Sequence, residues 1–240
     1  MKMKNIIKFC FATFLSVLLF ASCTKDQIID GGVSNPKVNM TTYDYLKSHP
    51  RGLFDTLIMI IDKGGMVDLI NNQKTFFAPT DYSINAYISI RQSEIRRIDE
   101  RKNYTLDSLF KQFTPQMLRD SMSVYLFPDE IIRTNLDATG KTYQSAFNNY
   151  SFLMTLEQHT NDDYNAGGLI PERPSFMYYN RVVGERDVLV AGQLKDPSGN
   201  TNLLDVKTIC QTTGIHTNTG VLHVLNNGHA WIRSLKLNIK

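Results

Sequence analysis

The chain has 240 residues, 42% of them hydrophobic, with 26 Lys+Arg against 23 Asp+Glu, a formal net charge of +3. Lys2, Lys4 and Lys8 all lie in the first ten residues, and the remainder is balanced at 23 basic and 23 acidic side chains. The charge therefore argues for no acidic partner, and without a basic field it gives no case for nucleic acid.

Residues 1–22 read as a processing segment. The three lysines give a positive start, and Ile6 to Leu19 is almost continuously apolar but shorter than the ~20 residues of a membrane span. Leu19-Phe20-Ala21-Ser22-Cys23 resembles the lipobox of bacterial lipoproteins, in which the cysteine thiol is acylated and becomes the new N-terminus. Cys23 is thus the expected lipid attachment site and a lipid membrane the expected partner. Localisation follows: an outer-membrane lipoprotein of the cell envelope, exposed at the surface as in Bacteroides-like bacteria. Residues 23–37 are polar and carry Gly and Pro, as a tether does. With Cys10 in the leader and Cys23 acylated, Cys210 is the cysteine left, so no internal disulfide forms. Residues 23–240 are enough for one sizeable core.

Thr41 to Ile70 has apolar residues at three- and four-residue spacings, interrupted at His49-Pro50 and stopped at Gly64-Gly65, and predicts helices. Thr75 to Ala78 predicts a short apolar strand. After Asp81, the spacing of Ile84, Tyr87, Ile88, Ile95 and Ile98 predicts a helix with a mixed-charge, solvated outer face. Leu106 to Phe113 predicts another, and Thr114-Pro115 is an N-cap and N1 pair opening a further one. Ser123 to Phe127 reads as strand.

The second half has a two-residue period. Ser151–Glu157, Ser175–Val183, Val188–Leu194, Leu203–Ile209 and Val221–Leu225 are candidate strands, separated by Asn161-Asp162-Asp163, Gly167-Gly168 and residues 196–200. Asn226-Asn227-Gly228 predicts a tight hairpin turn, with His229 to Leu235 as the return strand. Helices first and strands later indicate the α+β class.

Three stretches in this order resemble the fasciclin domain, an extracellular and cell-surface module. Thr42 through Met66 is similar to its opening helices. Thr75-Phe76-Phe77-Ala78-Pro79-Thr80-Asp81 is similar to its first box. Asn218-Thr-Gly220-Val221-Leu-His223-Val224-Leu225, about 140 residues later, is similar to its second. The resemblance implies a single domain over residues 38–240, with a wedge of helices packed around a β-sandwich-like core. It also implies structural roles for the box residues. Residues 128–200 are longer and more aromatic than a compact family member needs. Of the family's mid-domain tyrosine–histidine pair, Tyr125 is present and Leu126 stands at the histidine. The implied function is adhesion, or contact with a protein or glycan, with no enzyme activity and no cofactor.

The residues themselves agree with a structural reading of the boxes. Pro79 ends the strand, Thr80 is placed to cap the next helix, and Asp81 suits its positive end. None of the five histidines has the spacing of a helical metal motif. His216, His223 and His229, with Asp205, are an alternative metal set across a hairpin, but a packed, hydrogen-bonded His223 is the simpler reading. No phosphate loop and no Gly-x-Ser-x-Gly elbow is present. Phe176, Tyr178 and Tyr179 are the candidate binding residues, for stacking on a sugar or protein. As core strand, Met177 and Tyr179 would share one face and Tyr178 the other. Two further functions compete: a carbohydrate-binding accessory protein of a nutrient-uptake system, and a hydrolase of extracellular substrates.

Overall fold

The computed structural model describes residues 37–147, 150–158, 174–191 and 193–232. Cys23, the tether up to residue 36, His159, the 161–163 and 167–168 turns and residues 233–235 of the expected return strand lie outside them.

Six helices come first: α1 (Thr42–Lys47), α2 (Asp55–Gly64), α3 (Val67–Asn71), α4 (Asp81–Arg96), α5 (Leu106–Gln112) and α6 (Pro115–Ser123). Their ends follow local chemistry. Thr41 accepts the Asp44 amide proton at 3.1 Å and caps α1. Gly65 closes α2 at φ +60°, a left-handed conformation that glycine adopts without a Cβ penalty. Thr105 and Ser108 form a reciprocal capping box on α5. Thr114 caps α6 with Pro115 at N1. The charged helix ends at Arg96, so Ile98 lies beyond it and is exposed, contrary to the expected apolar face. Arg91–Glu94 and Arg101–Asp99 pair on that surface.

The strands are β1 (Thr75–Ala78), β2 (Leu126–Phe127), β3 (Lys141–Gln144), β4 (Ser151–Gln158), β5 (Ser175–Arg181), β6 (Val188–Val190), β7 (Gln193–Lys195), β8 (Val206–His216) and β9 (Val221–Leu225). Seven form one mixed sheet in the order β2-β1-β9-β8-β5-β4-β3, and β6-β7 is a separate hairpin. All ladders are antiparallel except β1–β9. β8 is the hinge of the sheet. Its first half pairs β5 and its second half pairs β9, with register shifts after Cys210 and Thr212. Such bulges bend a strand and raise its twist. The bend brings the two sheet edges together: the Ala146 amide, just past β3, donates to the Leu126 carbonyl of β2 at 2.7 Å. The α+β class holds, and in place of two stacked sheets the core is one mixed, nearly closed sheet flanked by helices.

Four sequence expectations change. Ser123 ends α6, leaving only Leu126–Phe127 as strand. Val188–Leu194 is split into a hairpin by a turn at Ala191, φ +50°. Thr201–Leu203 is a 3-10 turn, and the strand expected there starts later and runs to His216. After β9, residues 226–228 turn without a hairpin and residues 229–232 are not strand. Instead the Trp231 amide donates to the Ser83 carbonyl of α4 at 3.0 Å, and the indole is buried against Tyr87 and Phe113. β3 was not anticipated, because Tyr143 is its one buried residue and supplies too little apolar pattern.

Inside the curl lies an aromatic cluster. Phe77 stacks on His223 at 4.8 Å and meets Phe127 and Tyr179. Tyr179 in turn stacks on Phe152 at 4.5 Å and on Tyr125 at 5.8 Å. Each such ring contributes ~1.5–3 kcal/mol by burial and ring pairs ~0.5–1.5 kcal/mol more.

Candidate functional site

The two sequence boxes are neighbours in space. Thr75, Phe76, Phe77 and Ala78 pair in parallel with Val221, Leu222, His223 and Val224. All eight are buried, so both faces of this central ladder are covered. Thr75 ties in the loop after β2, donating to the Asp129 carbonyl at 2.8 Å and accepting the Ile131 amide at 2.9 Å. Gly220 enters β9 where the backbone passes close by: a Cβ there would lie 2.6 Å from the Lys74 carbonyl oxygen. The sequence needs glycine at this point for approach, not for a turn.

Thr80 and Asp81 form no reactive pair, and the expected capping is rearranged. Thr80 is the N-cap residue of α4 by backbone, but its side chain makes no capping bond. Its buried hydroxyl donates to Asn227 Oδ1 at 3.0 Å, linking the strand exit to the turn after β9. Asp81 caps a different helix. Its carboxylate accepts the Thr56 amide at 2.9 Å and the Leu57 amide at 3.0 Å. These are the N2 and N3 positions of α2, whose own N-cap residue is Phe54 and has no side-chain acceptor. Burial raises the Asp81 carboxyl above its ordinary range, and the two amide donors pull it back.

His223, His229 and Cys210 are built into the core. His223 donates from Nε2 to the Ile131 carbonyl at 2.8 Å and accepts the Gly214 amide at Nδ1, 3.2 Å away. His229 is a hydrogen-bond partner of Tyr125. The Ile232 amide donates to the Tyr125 hydroxyl at 3.1 Å, which leaves the phenol proton for His229 Nε2 at 2.8 Å. His229 Nδ1 then faces Thr208 Oγ1 at 3.3 Å. Burial lowers both histidines to about 4, so both are neutral imidazoles. Burial also pushes the Cys210 thiol well up, which suppresses the thiolate a nucleophile requires. Among the described residues no group of three or more His, Cys, Asp or Glu is arranged to hold a metal, and the set of His216, His223, His229 and Asp205 does not converge.

Of the candidate binding aromatics, Tyr179 points inward with Met177. It is 3% exposed and its hydroxyl donates to the Val124 carbonyl at 3.0 Å. That removes it from any surface, because β5 presents alternate residues to opposite faces. Phe176 and Tyr178 are half-exposed on the outer face. There Lys207 Nζ sits 4.9 Å from the Tyr178 ring centre.

Clefts of about 1030, 700, 480 and 400 Å³ open among the described residues. The first borders the first box and is lined by Tyr45, His49, Arg51, Asp81, Tyr82 and Asn227 among others. Two of its polar groups serve the fold, Asp81 holding α2 and Asn227 holding Thr80, while the buried Nδ1 of His49 has no partner. The smallest, about 400 Å³, opens on the outer face of β4, β5 and β8. The strand residues lining it are Leu153, Thr155, Glu157, Gln158, Asn180 and Lys207. Arg186, Asp187, Leu194, Asp205 and Ala138 form its rim. Gly140, at φ +74°, lets the 137–140 turn fold onto these strand residues, since a Cβ there would lie 2.5 Å from Thr155 Cγ2. Thr155 and Asn180 are both buried on the face of the sheet away from the core. Sequence reasoning missed this site.

No family model matches the chain, and no curated protein matches it. Among solved structures, a fasciclin domain pair from the insect cell adhesion molecule fasciclin I is a distant match. It is 11% identical with a TM-score of 0.43, covering 76% of this chain and 47% of that one. The chain thus spans about half the length of the structure it matches. No helix of the described residues is long and apolar enough to cross a membrane.

Proposed function

We propose that this chain is a non-enzymatic interaction module of the cell envelope, held at the outer membrane by a lipid on Cys23 and displayed to the exterior. The lipobox pattern ending at Cys23 and the two fasciclin-like boxes support that reading. One observation carries it over catalysis: two of the described histidines and the described cysteine are committed to the core. His223 and His229 are neutral and hydrogen-bonded, and the buried Cys210 thiol is held protonated. Charged side chains also line the cleft over β4, β5 and β8, among them Glu157, Arg186, Asp187, Asp205 and Lys207.

The test is a mixed array of envelope proteins, host surface proteins and glycans, probed with the full mature chain. Retention on one class, abolished by Leu194→Arg at the cleft rim, is the expected result. Turnover of extracellular substrates on a hydrolase panel, lost on substitution of Glu157 or Asp187, would replace the module reading with an enzyme.

A further inference from the structure

We propose that the cleft over β4, β5 and β8 binds a neutral sugar unit whose hydroxyls donate to Asn180 and Asp187. The inference rests on the interaction-module reading and adds the chemical class of the ligand.

The hydrogen bonds on the cleft floor fix which atoms are left over. Thr155 has one hydroxyl proton and gives it to Glu157 Oε1 at 2.7 Å. Toward Asn180 it can only accept, and Asn180 Nδ2 lies 3.0 Å away. The amide orientation follows: nitrogen to Thr155, oxygen without a partner. Asn180 is 2% exposed and this oxygen is a buried acceptor left unsatisfied, which a donor seated in the cleft gains by turning the side chain toward it. Asp187 offers a second such atom. Its Oδ2 accepts the Asp205 amide at 2.9 Å, while its buried Oδ1 has no partner.

The remaining charges are already matched. Both oxygens of Glu157 accept from Lys207, at 2.8 and 2.7 Å. Asp205 accepts the Val183 and Asp187 amides. Arg186 donates to the Ala138 and Thr139 carbonyls. The lining cations are therefore engaged, which disfavours phosphate and acidic sugars. One carboxylate oxygen and one amide oxygen make a poor cation cage, but they suit two hydroxyl donors. Leu153, Leu194 and Ala138 supply apolar surface for the C–H face of a ring. The cleft volume of about 400 Å³ lies at the small end of the range for small-molecule sites, which suits one or two sugar rings.

Isothermal titration of the full mature chain with glucose, galactose, mannose, N-acetylglucosamine, maltose and cellobiose tests the assignment. Binding of at least one is expected at millimolar Kd or tighter. Asp187→Asn, which turns the spare oxygen into a donor at equal volume, should weaken it at least tenfold. Leu194→Arg, at an exposed rim position, should do the same by occlusion. Both variants should keep the wild-type unfolding midpoint. No heat from any of the six at ~10 mM overturns the sugar assignment. Binding that survives both variants overturns the site. The module reading fails separately, if the mixed protein and glycan array retains nothing.

Discussion

Removing the Asp81 carboxylate should destabilise a helix to which it does not belong. Asp81→Ala takes away the only side-chain acceptor on the N2 and N3 amides of α2, bonds of 2.9 and 3.0 Å. Hydrogen bonds to a charged partner are worth ~1.5–3 kcal/mol each in buried settings, and loss of a cap costs ~0.5–2 kcal/mol. Asp81 is half-exposed, so water replaces part of what is lost and the expected cost is about 2 kcal/mol. For a chain of this length that lowers the melting temperature by roughly 4–8 °C. Asp81→Asn keeps one carbonyl acceptor and should lose about half as much. Thr80→Ala breaks the bond to Asn227 and should cost ~1 kcal/mol without touching α2. Urea unfolding followed by the single, fully buried Trp231 measures all three. Hydrogen exchange then locates the effect, with the Thr56 and Leu57 amides opening in Asp81→Ala and not in Thr80→Ala. A loss below ~0.5 kcal/mol, or exchange at those amides equal to wild type, would refute the reasoning.

Acid should unfold the domain through its two core histidines. Both have folded values lowered to about 4 from an ordinary 6.5, so the stability they contribute is full above pH 6.5 and lost as pH falls toward 4. The drop is worth roughly 3 kcal/mol for each histidine, at ~1.4 kcal/mol per factor of ten in proton affinity. Denaturant midpoints from pH 8 to 4 check this, and His229→Gln should remove about half of the acid slope. Gly220→Ala forces a Cβ to 2.6 Å from the Lys74 carbonyl and should cost ~1–3 kcal/mol, read as a lower urea midpoint at unchanged slope. Cys23→Ala should move the protein from the membrane fraction to the soluble fraction. Recovery in membranes equal to wild type would remove the lipid anchor from the account.

What the sequence disclosed was local. The Thr114 cap, Pro115 at N1, the β1 segment and the shared face of Met177 and Tyr179 each depend on residues a few positions apart, and all can be read from type and spacing. Contacts that join distant segments were not legible. Asp81 looks like a first-turn acid of its own helix, and only the fold shows that it reaches α2. His229 reads as the first residue of a return strand, yet it bonds Tyr125 from 104 positions away. The bend in β8 arises from register shifts that the alternation of Val206 to His216 does not announce. The cleft depends on which proton Thr155 gives away, and therefore on partners brought together by three strands. The sequence pointed to residues 128–200 as the variable surface, but it offered aromatics there. The structure puts Tyr179 in the core and brings Asn180, the next residue, to the cleft floor.

The most direct test of the account is the side-chain amide resonance of Asn180 during titration of the isotope-labelled mature chain with the six sugars. If the outer-face cleft is the recognising surface, the Asn180 side-chain pair shifts together with the backbone amides of Thr155 and Lys207, and saturates with the ligand. If those signals stay fixed while shifts gather around Asp81, Tyr82 and His49, the ligand sits in the largest cleft and the central claim is wrong.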